Sequence, residues 1–378
     1  MTTLPQNDWQ GRRVLIAAGG TGGHIFPALA VAKALVQSGA KLHWVGSNRG
    51  LEARVVRDAS AMTLTELRFQ GLRGRGLGAV LSLPLRLVSA LLECLQLLRS
   101  FRPNLVLVFG GYVSFPVGIA AWLQRISFVV HEQNAVMGTA NRWLARLAAR
   151  VLTSFPSTHL SPVSAVCVGN PVRPELLAQA GARRPGFGHA APLHVLVIGG
   201  SLGAHALNQA LPDAFAASLP HWPHGITVRH QTGLNDISQV RAKYQALGMG
   251  PEQAQVEAFI DDMAQAYAWA DLVIARAGAS TVSELAALGI PAVFIPLPNA
   301  IDDHQTANAQ AMVTAKAALI VRQSPELLAS LTQCLAQLRP EGLKAMAEAA
   351  QSLAAGPSSL ENYMTVIATL GNQNRQAL

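Results

Sequence analysis

Short, nearly continuous apolar runs alternate along the chain with stretches in which apolar residues recur every three or four positions. The runs are "RVLIAAG", "KLHWVGS", "NLVLVFG", "SFVVHEQ", "RVLTS" and "AVCVGN", then "HVLVIGG", "TVRHQ", "VEAFI", "DLVIARAG" and "PAVFIPL". Strands without polar alternation are buried on both faces, so the pattern predicts α/β architecture with doubly wound parallel sheets.

The pattern also repeats. "LIAAGGTGG" at 15–23 and "VLVIGGSLG" at 195–203 each deliver an apolar strand into a Gly-Gly-Thr/Ser loop and then a helix. Two Rossmann-like halves are expected, with the boundary near Pro171 in "GNPVRPELL", where prolines interrupt regular structure and a Gly/Pro/Arg-rich stretch follows. The first domain is therefore 1–171 and the second 172–356. Ligands bind beyond the carboxyl ends of strands in such sheets, which makes a cleft between the facing halves the expected site.

A chain of 378 residues, half of them apolar, suits two cores. The formal charge is +8 with only 13% charged residues, a balance that favours anionic partners. Nucleic acid is set aside, because the basic residues are scattered and no recognition helix or stacking pattern accompanies them. Cys94, Cys167 and Cys334 show no pairing pattern, and the polar start lacks a signal-peptide core. Both features point to the cytosol. The uncharged stretch from Asn104 to Gln124 contains Gly110, Gly111 and Pro116, so it reads as strand, loop and helix rather than a membrane span.

Glycine loops that lead into helices bring backbone N–H groups and the positive end of the helix dipole to one point, a cradle for phosphate. Four have this form: Gly19 to Gly23, "GGYVS" from Gly110, "GGSLG" from Gly199, and "RAGAST" from Arg276. A dinucleotide is excluded because Ile25 stands where the third fingerprint glycine belongs, and the second strand ends without a ribose-binding acid. No Walker loop occurs either. A nucleotide-sugar diphosphate or an anionic lipid diphosphate remains.

His24 closes the first loop at a helix start, where the dipole favours neutral imidazole, able to act as a general base or simply to cap the turn. Glu132, in "VVHEQN" at a strand's carboxyl end, is the second candidate base. Thr281 and Glu284 fit a capping box; the other reading has the loop amides hold a phosphate while Glu284 binds ribose hydroxyls. The pairs Asp261/Asp262 and Asp302/Asp303 precede helices and read as caps rather than metal ligands. His304, Gln305 and Asn308 share a helix face that could reach a sugar.

In "GLGAVLSLPLRLVSALLECLQLLRSF", Arg86, Ser89, Glu93, Gln96 and Ser100 form one polar stripe on an otherwise apolar helix. It is either a core helix or a membrane-facing surface, the latter supported by Arg68, Arg73 and Arg75 just before it. Under the membrane reading, Leu87, Leu91 and Leu98 would face lipid.

The blocks "AGGTGGHIFPALAVA", "FQGLRGRG", "GGYVSFPVGIAAW", "HEQNAVMGTANRWLA", "VGNPVR", "GGSLGAHALN", "FIDDMAQAYAWADLVIARAGASTVSE" and "DDHQTANA" occur in order, and together they closely resemble the MurG family of bacterial glycosyltransferases. The resemblance implies a GT-B fold, with a C-terminal helix at about 357–371 returning to the first domain. It implies inverting, metal-independent transfer of GlcNAc from UDP-GlcNAc to the C4 hydroxyl of the muramoyl sugar of lipid I, giving lipid II. No cofactor is implied.

By the same resemblance, Thr21, Gly22, Gly23, Asn134, Arg173, Ser201, Ile260, Ala279, Ser280, Thr281, Val282, Ser283, Glu284 and Gln305 would contact the donor. Gly110, Gly111 and Tyr112 would lie near the acceptor, together with the catalytic candidates His24 and Glu132. Leu202 replaces a glutamine found in some members. The expected location is peripheral, on the cytoplasmic face of the inner membrane, with an anionic membrane surface and other wall-synthesis proteins as partners. The rivals are a UDP-GlcNAc 2-epimerase of the same fold and a non-catalytic lipid- or nucleotide-binding module.

Overall fold

A computed structural model describes residues 9–47, 62–67, 69, 83–156, 158–159, 161–180, 186–200, 203–354 and 358–373. The chain divides into two units, one built from Met1–Arg173 together with Pro357–Leu378, the other from Pro174–Gly356.

In the first unit, strands β1 (Arg13–Ala18), β2 (Lys41–Ser47), β3 (Met62–Leu67), β4 (Leu105–Gly110), β5 (Phe128–Glu132), β6 (Arg150–Thr153) and β7 (Val166–Cys167) form one sheet in the order β3-β2-β1-β4-β5-β6-β7. All neighbours are parallel. Val14, Ile16 and Ala18 of β1 enter one hydrophobic cluster while Leu15 and Ala17 enter the other, as do Leu107 and Val108 of β4 respectively. Both faces are thus covered, which is why these strands read as unbroken apolar runs.

Helix α1 (Gly22–Gln37) packs on one face of the sheet; α2 (Leu83–Phe101) and α3 (Ser114–Leu123) pack on the other. A short α4 (Thr139–Ala145) follows β5. The final helix, here α13 (Ser359–Gln373), places Leu360, Tyr363, Met364 and Ile367 in the same cluster as α1. Ser359 Oγ donates to the Asn170 carbonyl at 2.6 Å, fastening the helix start to the loop after β7.

The second unit repeats the plan. Strands β8 (Leu193–Ile198), β9 (Ile226–Gln231), β10 (Ala254–Glu257), β11 (Leu272–Ala275), β12 (Ala292–Phe294) and β13 (Ala318–Ile320) run in the order β10-β9-β8-β11-β12-β13, all parallel. Counted within each unit, both sheets follow the order 3-2-1-4-5-6, with a seventh strand, β7, at the edge of the first, so the sequence repeat marks an equivalent first strand and switch point in each. Between the strands lie α5 (Pro174–Ala180), α6 (His205–Ser218), α7 (Ile237–Ala246), α8 (Met263–Trp269), α9 (Ala279–Leu288) and α10 (His304–Thr314); α11 (Leu327–Gln337) and α12 (Pro340–Ala354) follow.

Two strands escape the apolar-run pattern. β3, "MTLTEL", is an edge strand of alternating character, and β13 has only three residues.

Helix α2 buries one side against the sheet and leaves another exposed. Ala90, Cys94 and Leu98 are buried, and Leu87 and Leu91 pack against the core. The expectation that Leu87, Leu91 and Leu98 face outward is therefore corrected: the outward apolar residues are Leu85, Val88 and Leu92, at 76%, 54% and 60% exposure. They lie beside the polar stripe, and the packed neighbours α3 and α4 add exposed Trp122 and Trp143. The Arg146 guanidinium lies over the Trp143 ring, 5.4 Å from its centroid. Arg68, Arg73 and Arg75 lie outside the described residues. Among the described residues, no helix is long and apolar enough to cross a membrane.

Candidate active site

The switch point of the first sheet lies between β1 and β4, where the loops after these two strands meet. A Cβ added to Gly111 (φ +81°) would fall 2.1 Å from the Gly19 carbonyl oxygen, and one on Gly110 (φ +113°) 2.6 Å from His24 Cδ2. Only glycine permits this approach and this backbone conformation at both positions. Ser114 pins the turn, its Oγ accepting from Gly110 N at 2.9 Å and reaching the Gly110 carbonyl at 2.6 Å. The register of β1 against β4 also shifts between Ala17 and Ala18, directly before the first glycine loop.

Thr21 is the N-cap of α1 and has an extended backbone, so Gly22, Gly23 and His24 occupy the first turn. Thr21 Oγ1 lies 3.3 Å from His24 Nδ1. If Nδ1 carries the proton and donates to Thr21, Nε2 becomes the basic nitrogen. Tyr112, two residues after Gly110, is about half exposed. Arg173 stacks its guanidinium over Phe26 of α1, 4.5 Å from the ring centroid.

The structure places Glu132 differently from a general base. The carboxylate is buried, and Oε1 accepts from Asn134 N at 2.9 Å and Asn134 Nδ2 at 3.1 Å. Oε2 accepts from Gly138 N at 3.0 Å and Asn141 Nδ2 at 2.9 Å. Four donors organise the 134–141 loop around one anion, so Glu132 is corrected to a positioning residue.

Beside it, His131 is fully buried. Its Nε2 lies 3.3 Å from Asn170 Oδ1, and the ring packs edge-on to Tyr363 of α13. Burial lowers its pKa to about 4, against the Asn170 hydrogen bond, which raises it. The side chain of Gln133 is likewise buried, with neither amide atom hydrogen-bonded.

In the second unit, the loop after β8 is described at Gly199, Gly200 and Gly203; Ser201 and Leu202 lie outside the described residues. The loop after β11 leads into α9, whose N-cap is Gly278, so Ala279, Ser280 and Thr281 form its first turn. A Cβ on Gly278 would meet nothing within 4 Å, leaving the backbone here approachable. This corrects the capping box: Thr281 lies inside the helix and Glu284 deeper still. The Glu284 carboxylate is instead oriented by Tyr267 of α8, whose hydroxyl donates to Oε2 at 2.9 Å.

Ile260 and Val282 have buried side chains, so any ligand contact at Ile260 would come from its backbone. Ser283 is half-buried on α9. Gln305 accepts from Leu297 N at 3.0 Å through its amide oxygen, which leaves Nε2 as the group it can offer a ligand. Asn308 is buried and donates to the Ala277 carbonyl at 3.1 Å, so it braces the β11 loop instead of sharing an open face with Gln305. Asp262 caps α8, accepting from Gln265 N at 2.9 Å. Asp303, at φ +49°, makes no cap bond to the backbone and accepts from Thr306 Oγ1 at 2.7 Å. Among the described residues, no group of three His, Cys, Asp or Glu side chains could hold a metal ion.

Tyr267, Ser114 and Asn141 were not singled out from the sequence. Their hydrogen bonds, to Glu284, Gly110 and Glu132 respectively, distinguish them from ordinary helix residues.

A family model described as the glycosyltransferase family 28 N-terminal domain matches residues 14–153, and the corresponding C-terminal domain model matches residues 194–363. A protein of Marinobacter nauticus named UDP-N-acetylglucosamine–N-acetylmuramyl-(pentapeptide) pyrophosphoryl-undecaprenol N-acetylglucosamine transferase is 48% identical over 346 residues, covering 91% of this chain and 93% of that protein. One of the same name from Alkalilimnicola ehrlichii is 48% identical over 344 residues, covering 90% and 94%. The crystal structure of Acinetobacter baumannii MurG superposes with a TM-score of 0.74 at 35% identity, over 95% of this chain and 99% of that one. A putative UDP-N-acetylglucosamine 2-epimerase from Listeria monocytogenes reaches 0.66 at 15% identity, covering 97% of both chains; that is a likeness of fold.

Proposed function

The chain belongs to the MurG family within glycosyltransferase family 28, and from that membership we propose that it transfers GlcNAc from UDP-GlcNAc to the muramoyl C4 hydroxyl of lipid I, forming lipid II in peptidoglycan synthesis. The observation that carries this reading is the 48% identity, over 91% of the chain, to a protein of that named activity.

The reaction is a single displacement. The acceptor oxygen attacks the anomeric carbon as the bond to UDP breaks, inverting that centre, and the acceptor proton passes to His24 Nε2. Thr21 holds the other ring nitrogen, and when Nδ1 donates to its hydroxyl, Nε2 is left as the basic nitrogen. Gly110, Gly111 and Tyr112 border the acceptor, and the 134–141 loop, organised by Glu132, completes that side.

The second unit takes the nucleotide. The first-turn amides of α9 at Ala279, Ser280 and Thr281 and the Gly199–Gly203 loop meet the diphosphate, stabilising the charge that grows on departing UDP without a cation. Glu284, held by Tyr267, accepts from the ribose hydroxyls, and Gln305 donates from Nε2.

The face formed by Leu85, Val88, Leu92, Trp122 and Trp143, with Arg86, Arg142 and Arg146 nearby, rests on an anionic membrane surface where the lipid acceptor resides.

Purified protein incubated with labelled UDP-GlcNAc and a lipid-linked muramoyl diphosphate in EDTA should yield a labelled disaccharide-lipid. Conversion of UDP-GlcNAc to its 2-epimer without acceptor would establish the rival activity, and a strict need for added magnesium would overturn the cation-free step.

A further inference from the structure

Next to Gly200 and Gly203, after β8, runs a chain of polar side chains in an apolar core. His230 of β9 is fully buried, with Nδ1 3.0 Å from the Tyr244 hydroxyl and Nε2 3.1 Å from Asn208 Oδ1. Asn208 Nδ2 donates to the Thr232 carbonyl at 2.9 Å and to Asp236 Oδ2 at 2.7 Å. Asp236 Oδ2 in turn lies 2.9 Å from His205 Nδ1 at the surface.

The directions follow from chemistry. Two acceptors fix the amide nitrogen of Asn208 on their side, so its oxygen faces His230 and Nε2 must carry the ring proton. Nδ1 then accepts from Tyr244. Burial depresses the His230 pKa to about 3, which keeps the ring neutral and this order of donors intact at neutral pH.

The chain ends where the loop is held. A Cβ on Gly203 (φ +77°) would lie 2.0 Å from the Thr232 carbonyl oxygen, the atom that Asn208 grips, and Gln231 Nε2 donates to the Gly200 carbonyl at 3.0 Å. The end of β9 and the glycine loop are thus in backbone contact, and the location of Thr232 O is set from below by side chains that touch no substrate.

We propose that Tyr244, His230 and Asn208 form a positioning relay that sets Gly200 and Gly203, after β8, to receive the donor's diphosphate. The inference rests on the reading of the second unit as the nucleotide site. A buried histidine between a tyrosine and an asparagine is a costly way to fill a core, since Phe and Leu would pack there without polar groups to satisfy. What the polar chain adds is direction, a single arrangement of donors ending on one carbonyl.

The test has two readouts. By calorimetry, Tyr244→Phe and His230→Phe should weaken UDP-GlcNAc binding about five- to ten-fold, the scale of one lost net hydrogen bond, with the acceptor KM unchanged. His230→Gln, which restores a donor toward Asn208, should recover most of the loss. Val240→Ala, a cavity on the same core, controls for destabilisation alone. By hydrogen exchange on ligand-free protein, the two relay variants should raise exchange at the Gly199–Ala204 amides and Val240→Ala should not. Wild-type exchange at that loop in both variants, or an equal rise in Val240→Ala, overturns the relay. Wild-type protein that binds no UDP-GlcNAc overturns the nucleotide reading instead, and the exchange result then decides the relay by itself.

Discussion

His24 and Glu132 are both polar residues near the ends of buried strands, yet their surroundings differ. His24 stands on the first turn of α1 against Gly110, with Thr21 on one ring nitrogen. Replacing it with Ala should lower kcat by about 10²- to 10⁴-fold while leaving the UDP-GlcNAc dissociation constant within about two-fold; a small kcat effect measured in the disaccharide-lipid assay would remove it from proton transfer. Glu132 faces four donors, so Glu132→Gln sets an amide N–H₂ against N–H groups and should cost about 1–3 kcal/mol in urea unfolding. Turnover by folded Glu132→Gln should far exceed that of His24→Ala. The sequence marks both residues as candidates but does not separate them, because the donors to Glu132 come from a loop whose path no periodicity encodes.

The buried histidines add a pH signature at this same scale. His131 and His230 have pKa values lowered by burial to about 4 and about 3, against about 6.5 unfolded. Below pH 6.5 the unfolded chain therefore binds protons that the native one refuses, and stability falls as pH falls. At pH 5 each histidine should contribute about 2 kcal/mol of destabilisation relative to neutral pH. Urea midpoints for wild type and His230→Phe should converge on acidification, because the variant lacks that site; parallel curves would contradict the assignment.

At the scale of elements, α2 shows how far a repeat of apolar residues can inform. The three-and-four spacing of Arg86, Ser89, Glu93, Gln96 and Ser100 correctly identifies an amphipathic helix, but apolar residues flank the stripe on both sides, and only packing against the sheet decides which flank is covered. Leu85→Glu with Leu92→Glu should weaken binding to anionic vesicles at an unchanged melting temperature, whereas Leu98→Ala should cost about 2–5 kcal/mol. Vesicle binding unaffected by the double change would separate this face from the membrane. The start of α9 makes a similar point, since T-x-x-E satisfies the capping-box pattern while Gly278 begins the helix earlier. Glu284 accepts a hydrogen bond from Tyr267, on another helix, where local sequence rules do not reach.

At the scale of the whole molecule, the glycine-loop repeat makes the doubly wound plan of both units legible, because each sheet is buried on both faces and its strands need no polar alternation. The edge strands β3 and β13 are less legible, being partly exposed or very short. Helix α13 closes one face of the first sheet through Tyr363, Met364 and Ile367, and Tyr363 also packs against His131. Deleting Ser359–Gln373 should therefore lower the melting transition of the first unit and leave that of the second in place, as resolved by calorimetry; a loss confined to the second would contradict the packing.

That helix also bears on how the protein is made. A ribosome translating this message emits the second unit before it emits the helix that completes the first, so the earlier-synthesised sheet must wait, one face covered by α1 but not by α13, while the later one can already close. Nascent chains stalled before Ser359 should accordingly be cut by protease in the first unit and resist in the second. The first unit should then mature after the second, although it is synthesised first.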